Sequence, residues 1–259
     1  MSEITFKGAK IFYSVYGMGK KVPLVLLHGF LEDSSIWDSI VKELQNERQV
    51  ICIDLPGHGK SEGIAGIHTM SLMALAVREV LTNLGIKEFS VAGHSMGGYV
   101  SLELLKIFPM IIKSVMLINS TPIEDTVEKQ EIRDRSVKLV GKNKEAYISM
   151  AISNLYSEES KEKLSSEIEN LKSRAVKMKT ENIQAALNGM KIRTNYLEEL
   201  KRFSGQKIVV AGKEDPILDV NELQRVSEGC DCDFYVLKNG HNSYMEAPVE
   251  LTEKMHFID

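Results

Sequence analysis

The sequence predicts an α/β architecture: a doubly wound, mostly parallel sheet of eight strands, with an all-helical block inserted in it. Three observations carry that expectation. Short apolar runs alternate with amphipathic helical patterns through residues 1–120, the alternation stops between Thr121 and Tyr196, and it resumes after that. Strands alternating with helices imply βαβ units, a parallel sheet and helices on both of its faces.

Taken in order, Ile4 to Tyr16 reads as two strands turning at Lys7-Gly8. Val22 to Leu27 is a continuous apolar run, the pattern of a strand buried on both faces. Ser34 or Ser35 is placed to cap the next helix, where Ile36, Trp37, Ile40, Val41 and Leu44 recur at helical spacing. Val50 to Leu55 is a further strand, stopped by Pro56-Gly57. Thr69 or Ser71 opens a helix with Leu72, Leu75, Ala76, Val80 and Leu84 on one face, and Gly85 closes it. Phe89 to Ala92 is a strand, Met96 to Phe108 a helix ended by Pro109, and Ser114 to Ile118 a strand. The block from Thr121 to Tyr196 reads as charged amphipathic helices, one of them Glu158 to Lys179 with Leu164, Ile168, Leu171 and Ala175 on a stripe. The strand Lys207 to Ala211, a helix near Val220 to Ser227 and the strand Phe234 to Leu237 complete the pattern. Residues 1–120 and 197–259 therefore form one discontinuous core, and residues 121–196 an inserted cap. With no Pro- or Gly-rich linker, the cap is expected to pack on the core.

At 259 residues the chain is long enough for one sizeable core. Its 43% hydrophobic and 26% charged residues exclude wholesale disorder. A formal charge of -4, with Lys and Arg interleaved among Glu and Asp, gives no counterion-release advantage on DNA or RNA, so no nucleic-acid partner is expected. Cys52, Cys230 and Cys232 make an odd set without the spacing of a disulfide framework or a zinc site. The first residues lack the features of a signal peptide, and the apolar runs are too short to span a bilayer. The expectation is a cytoplasmic protein with no membrane partner, no metal and no cofactor.

In open α/β sheets functional residues gather at the carboxyl ends of the strands. Gly93-His94-Ser95-Met96-Gly97 matches G-x-S-x-G and lies between a strand and a helix, the context a nucleophile elbow requires. Glycines flank the serine because side chains there would collide with the tight turn. A serine hydroxyl needs a base to take its proton, and the base needs a third group to orient it. Of six histidines, His241 follows the last strand in a loop at the correct sheet edge, and is the expected base. His94 adjoins Ser95 and should point away from it; His28 should organise its loop through backbone hydrogen bonds. After the strand ending at Ala211, either Glu214 or Asp215 is chemically able to hold the imidazole, and Pro216, fixing the turn, favours Asp215. An oxyanion hole needs two backbone N–H donors; Met96 supplies one and Phe30, after the Val22 to Leu27 strand, the other. Gly59-Lys60-Ser61 ends like a phosphate-binding loop, but Asp54 stands where that motif needs glycine.

With these residues in place the chain resembles the α/β-hydrolase superfamily over nearly its whole length. The resemblance rests on His28-Gly29-Phe30, Asp54 to Ser61, Gly93 to Gly98, Gly212 to Pro216 and Gly240-His241. Within it the chain looks like the group with a helical cap after the sixth strand: small-molecule esterases, carbon–carbon-bond hydrolases, cofactor-free haloperoxidases and related lyases. The resemblance implies that Asp54, His58 and Ser61 are not catalytic. It also separates the chain from haloalkane dehalogenases and epoxide hydrolases of this fold, whose nucleophile is Asp. The expected activity is hydrolysis of a small carboxylic ester or related acyl compound through an acyl-enzyme on Ser95. A carbon–carbon hydrolase or lyase using the same residues is the alternative, and a non-catalytic ligand receptor the third reading. Tyr147, Met150, Tyr156, Asn188 and Met190 are the cap residues expected to meet a substrate.

Overall fold

A computed structural model describes residues 2–258. The apolar run after Lys21 forms the central strand β3 (Lys21–Leu27), and its side chains divide between two cores. Val25 and Leu27 enter one buried cluster, Leu24 and Leu26 the other, as the two-residue period of a strand requires. Each such side chain contributes about 1.5–3 kcal/mol on burial. Beside it lie β4 (Arg48–Ile53) and β5 (Phe89–His94), both parallel to it. Two antiparallel strands, β1 (Ser2–Phe6) and β2 (Ala9–Tyr16), flank β4 on one side. On the other, β6 (Ile112–Ile118), β7 (Gln206–Gly212) and β8 (Asp233–Leu237) continue in parallel. The order is β1-β2-β4-β3-β5-β6-β7-β8, an eight-stranded, mostly parallel sheet.

Helices α1 (Asp38–Leu44), α2 (Met70–Asn83) and α3 (Met96–Ile107) follow β3, β4 and β5. Between β6 and β7 the chain runs through α4 (Val127–Lys142), α5 (Lys144–Ser153), α6 (Glu158–Lys163), α7 (Ser165–Ala175), α8 (Thr180–Lys191) and α9 (Leu197–Arg202). After β7 come α10 (Val220–Gly229) and, beyond β8, α11 (Ser243–Glu246) and α12 (Pro248–Met255). Ile148, Ile152, Leu171 and Leu187 of the helical segment belong to the same buried cluster as Val25 and Leu27, so the segment packs on the sheet layer.

Several local expectations change. A 3-10 turn (Ser34–Trp37) precedes α1, and Asp33, not Ser34 or Ser35, caps it by accepting from the Ser35 N–H at 3.0 Å. β4 stops at Ile53, so Leu55 lies in the following loop. Thr69 caps α2 as one of the two expected residues, and the expected Ala76 and Val80 are buried, but the rest of the buried face is Met70, Met73, Ala74, Val77 and Leu81. Leu72 and Leu75 sit at its margin. The stretch from Glu158 is two helices broken at Leu164, and α9 extends the helical run past Tyr196. Among the described residues, no helix is long and apolar enough to cross a membrane.

Candidate active site

The local sequence around Ser95 leaves the backbone no other route. Ser95 adopts φ 49° and ψ -113°, a left-handed conformation that costs an L-residue on the order of 1–3 kcal/mol. A Cβ on Gly93 would strike the Gly97 carbonyl, and one on Gly97 the Leu27 and His28 carbonyls, so both flanks must be glycine. The turn is held by the Ser95 N–H donating to the Ile118 carbonyl at 2.9 Å and by Ser120 Oγ donating to the Ser95 carbonyl at 2.8 Å.

Three sheet ends converge on the hydroxyl. His241, in the loop after β8, has Nε2 2.9 Å from Ser95 Oγ and Nδ1 2.8 Å from Asp215 Oδ2. Asp215, in the turn after β7, also accepts from Asn119 Nδ2 at 3.0 Å and from the N–H groups of Ile217 (2.8 Å) and Leu218 (3.1 Å). Burial alone would raise its carboxyl; the facing imidazole, its hydrogen bond, the Ile217 N–H and the Asn119 amide outweigh this and hold it below its ordinary value. Glu214 is exposed. Phe30, after β3, and Met96, first residue of α3, have backbone N–H groups that donate to no other group among the described residues.

Behind these residues lies a brace the sequence did not reveal. Glu32, 3% exposed, accepts from the Gly29 N–H at 2.5 Å, from Tyr244 Oη at 3.0 Å and pairs with His94 Nδ1 at 3.0 Å. His94 Nε2 then donates to the His241 carbonyl at 3.0 Å. One buried carboxylate and one imidazole thus connect the Phe30 loop, the serine elbow and the His241 loop. Burial opposes the charged form of both, and each partner reverses that for the other: Glu32 is lowered and His94 raised from its ordinary value. Glu32 and Tyr244 are 212 positions apart, so no local pattern could reveal the brace. His28 does organise its loop: Nδ1 donates to the Gly29 carbonyl (2.8 Å) and Nε2 accepts from the Leu55 N–H (2.9 Å). Asp54 and Ser61 are likewise spent on backbone, with Asp54 accepting from the Ser34 and Lys60 N–H groups at 2.8 Å each.

Ser95 and His241 open into a cavity of about 430 Å³ between the sheet end and the helical segment. Tyr147, Met150 and Met190 line it, as do Phe30, Tyr99, Leu187 and Ile217. Tyr156 and Asn188 do not. Tyr156 is buried with its hydroxyl 3.3 Å from Met245 Sδ, and α8 turns Leu187 and Met190, rather than Asn188, to the cavity. The Leu155 carbonyl accepts from the His241 N–H at 3.3 Å, tying the helical segment to the histidine loop.

Comparison with known proteins agrees with this architecture. The family described as alpha/beta hydrolase fold matches residues 22–248. A thermophilic esterase from Thermogutta terrifontis superimposes with a TM-score of 0.92 at 26% identity, over 99% of this chain and 97% of that one. The enol-lactonase of Burkholderia xenovorans LB400 has a TM-score of 0.91 at 18% identity, covering 98% of each chain, a likeness of fold. By sequence, 111 residues are 37% identical to a dihydrolipoyllysine-residue acetyltransferase component of an acetoin cleaving system from Pseudomonas putida, over 43% of this chain and 30% of that protein. A serine hydrolase-like protein from Danio rerio is 32% identical over 108 residues, 41% of this chain and 33% of its own length. The match thus takes in about a third of the length of these curated relatives. The sheet order, the elbow and a family match over most of its length make the chain an α/β hydrolase, a member of the alpha/beta hydrolase fold family.

Proposed function

We propose that the chain is a serine hydrolase that cleaves a small carboxylic ester or related acyl compound through an acyl-enzyme on Ser95. The observation that carries the reading is the hydrogen-bonded line from Ser95 Oγ through His241 to Asp215 at the floor of a substrate-sized cavity. The esterase from Thermogutta terrifontis, alike over nearly the full chain, supports it.

In this reading His241 Nε2 takes the Ser95 proton as Oγ attacks the acyl carbon. Asp215 keeps the Nδ1 proton facing it and stabilises the imidazolium. The Phe30 and Met96 N–H groups receive the oxyanion, and the position of Met96 at the start of α3 adds the favourable helix N-terminus. The imidazolium returns its proton to the leaving alkoxide. Water, deprotonated by the same Nε2, then cleaves the acyl-serine and restores the free hydroxyl. The helices between β6 and β7 act as a cap, closing the cavity and setting its size. A volume of about 430 Å³ favours small or moderate substrates over long lipids.

The test is turnover of p-nitrophenyl esters from acetate to octanoate, with fluorophosphonate labelling alongside. The expected result is turnover of the shorter esters together with labelling. Labelling without ester turnover would shift the assignment to carbon–carbon hydrolysis or lyase chemistry, and neither would leave a ligand receptor.

A further inference from the structure

Helix α4 presents an unexpected face to the cavity. Lys129, Arg133 and Ser136 recur at helical spacing and line it together with Asp125 and a single apolar residue of the helix, Ile132, where an ordinary cap helix would turn mostly apolar side chains inward. Two guanidinium groups share the single Asp125 carboxylate. Arg193 has its terminal nitrogens taken: it pairs with Asp125 at 2.7 Å, donates to the Met190 and Ile123 carbonyls at 3.1 and 2.9 Å, and stacks 4.0 Å over the Tyr99 ring, leaving only its buried Nε without a partner. Arg133 lines the cavity, and its terminal nitrogens are held less well. Its Nε meets Asp125 and its Nη2 reaches Asp125 at a long 3.4 Å, while Nη1 finds only the Met190 thioether at 3.5 Å, a weak acceptor. Lys129 has no ion-pair partner among the described residues.

The carboxylates at the sheet end do not offset this charge. Glu32 is held by Gly29, His94 and Tyr244, and Asp215 by His241, Asn119 and two backbone N–H groups. The cap side of the cavity thus holds positive charge in excess, on a guanidinium whose open edge suits a carboxylate. Tyr99, which bears the Arg193 stack, is one helical turn beyond Ser95, and it lines the same cavity as Ser95, Lys129 and Arg133.

We propose that this face of α4 is an anion subsite: the substrate carries a free carboxylate, received by Arg133 with Lys129 beside it, while its ester carbonyl lies at Ser95. The substrate class is thus a half-ester of a short dicarboxylic acid, an acylated hydroxy acid or a lactone bearing a carboxylate. The inference deepens the esterase reading and rests on it for where the carbonyl lies.

The experiment compares p-nitrophenyl hydrogen glutarate with the neutral p-nitrophenyl pentanoate, and the acetate ester of 4-hydroxybutanoate with butyl acetate, so that the charge sits on either side of the ester. At least one charged member is expected to exceed its neutral counterpart in kcat/KM by roughly ten- to a hundredfold, the value of a charged hydrogen bond. Arg133→Gln should remove that preference through KM and leave the neutral esters within about threefold, with Arg133→Lys restoring part of it. Lys129→Gln, which breaks no ion pair among the described residues, gives the same readout if Arg133→Gln fails to fold. Turnover of neutral and charged esters with equal efficiency overturns the subsite and leaves the esterase reading standing. If no ester is turned over, calorimetry on Ser95→Ala with monomethyl glutarate and methyl pentanoate decides the subsite alone. Tighter binding of the anion, lost with Arg133→Gln, upholds it; equal binding overturns it.

Discussion

The sheet end and the helical segment meet at one cavity but are built on different terms. At the sheet end, backbone fixes the chemistry: Ser95 is held in a left-handed turn that only glycine flanks permit, and His241 and Asp215 are placed by loops leaving adjacent strands. Across the cavity, side chains do the work. Met150 is 47% exposed, Tyr147 is buried with its hydroxyl near Ser136, and Arg133 holds a partly free guanidinium. In the proposed reading, the first region can be changed only at the cost of the reaction, whereas the second can vary and thereby select what reacts.

That contrast sets the expected scale of each perturbation. The largest belongs to the sheet end. Asp215→Asn should lower kcat for a p-nitrophenyl ester by about 10³–10⁴-fold, because the amide presents an N–H to Nδ1 and favours the wrong tautomer. Its KM should barely change; a loss below tenfold would remove Asp215 from the proposed line.

Next is the brace behind it. Glu32→Gln should lower Tm by roughly 5–10 °C, since removing one member of a buried ion pair strands the other. The pH dependence carries two signs. The Glu32 and Asp215 carboxyls are lowered, so their stabilisation is complete above the ordinary carboxylate range and is lost as pH falls through their lowered values. His94 is raised, so its stabilisation is complete below the ordinary imidazole value and is lost as pH rises through the raised one. Thermal melts across the acid and neutral range should therefore peak between the ordinary carboxylate and imidazole values, about 4 and about 6.5, and Glu32→Gln should flatten the peak. An unchanged profile would contradict the brace.

The smallest effects belong to the helical segment. Met150→Ala should leave Tm within about 2 °C, because the side chain is half exposed, and change KM less than about tenfold with a dependence on acyl length. Tyr147→Phe should behave similarly in KM. A collapse of kcat with either would mean the helical segment supplies chemistry as well as fit.

The same division governs what could be read from sequence. The strands, the elbow and the loops of Phe30, Asp215 and His241 were legible because each is a short local pattern with one geometric meaning. The helices were harder. The expected face of α2 is right at Ala76 and Val80, but Met73, Ala74, Val77 and Leu81 are buried with them in place of Leu72 and Leu75, since the two neighbouring layers select the face and apolar residues occur on both sides. The break at Leu164 carries no proline or glycine to announce it. Glu32 looks like any loop glutamate until Gly29, His94 and Tyr244 are seen around it. The residues of the helical segment divide by packing: Tyr147, Met150 and Met190 line the cavity, Tyr156 and Asn188 do not.

The most direct test of the central claim is intact mass and peptide mapping after treatment with a fluorophosphonate. The account predicts a single adduct on Ser95, abolished by Ser95→Ala and slowed by Asp215→Asn. An unmodified protein, or an adduct carried by another residue, would contradict it.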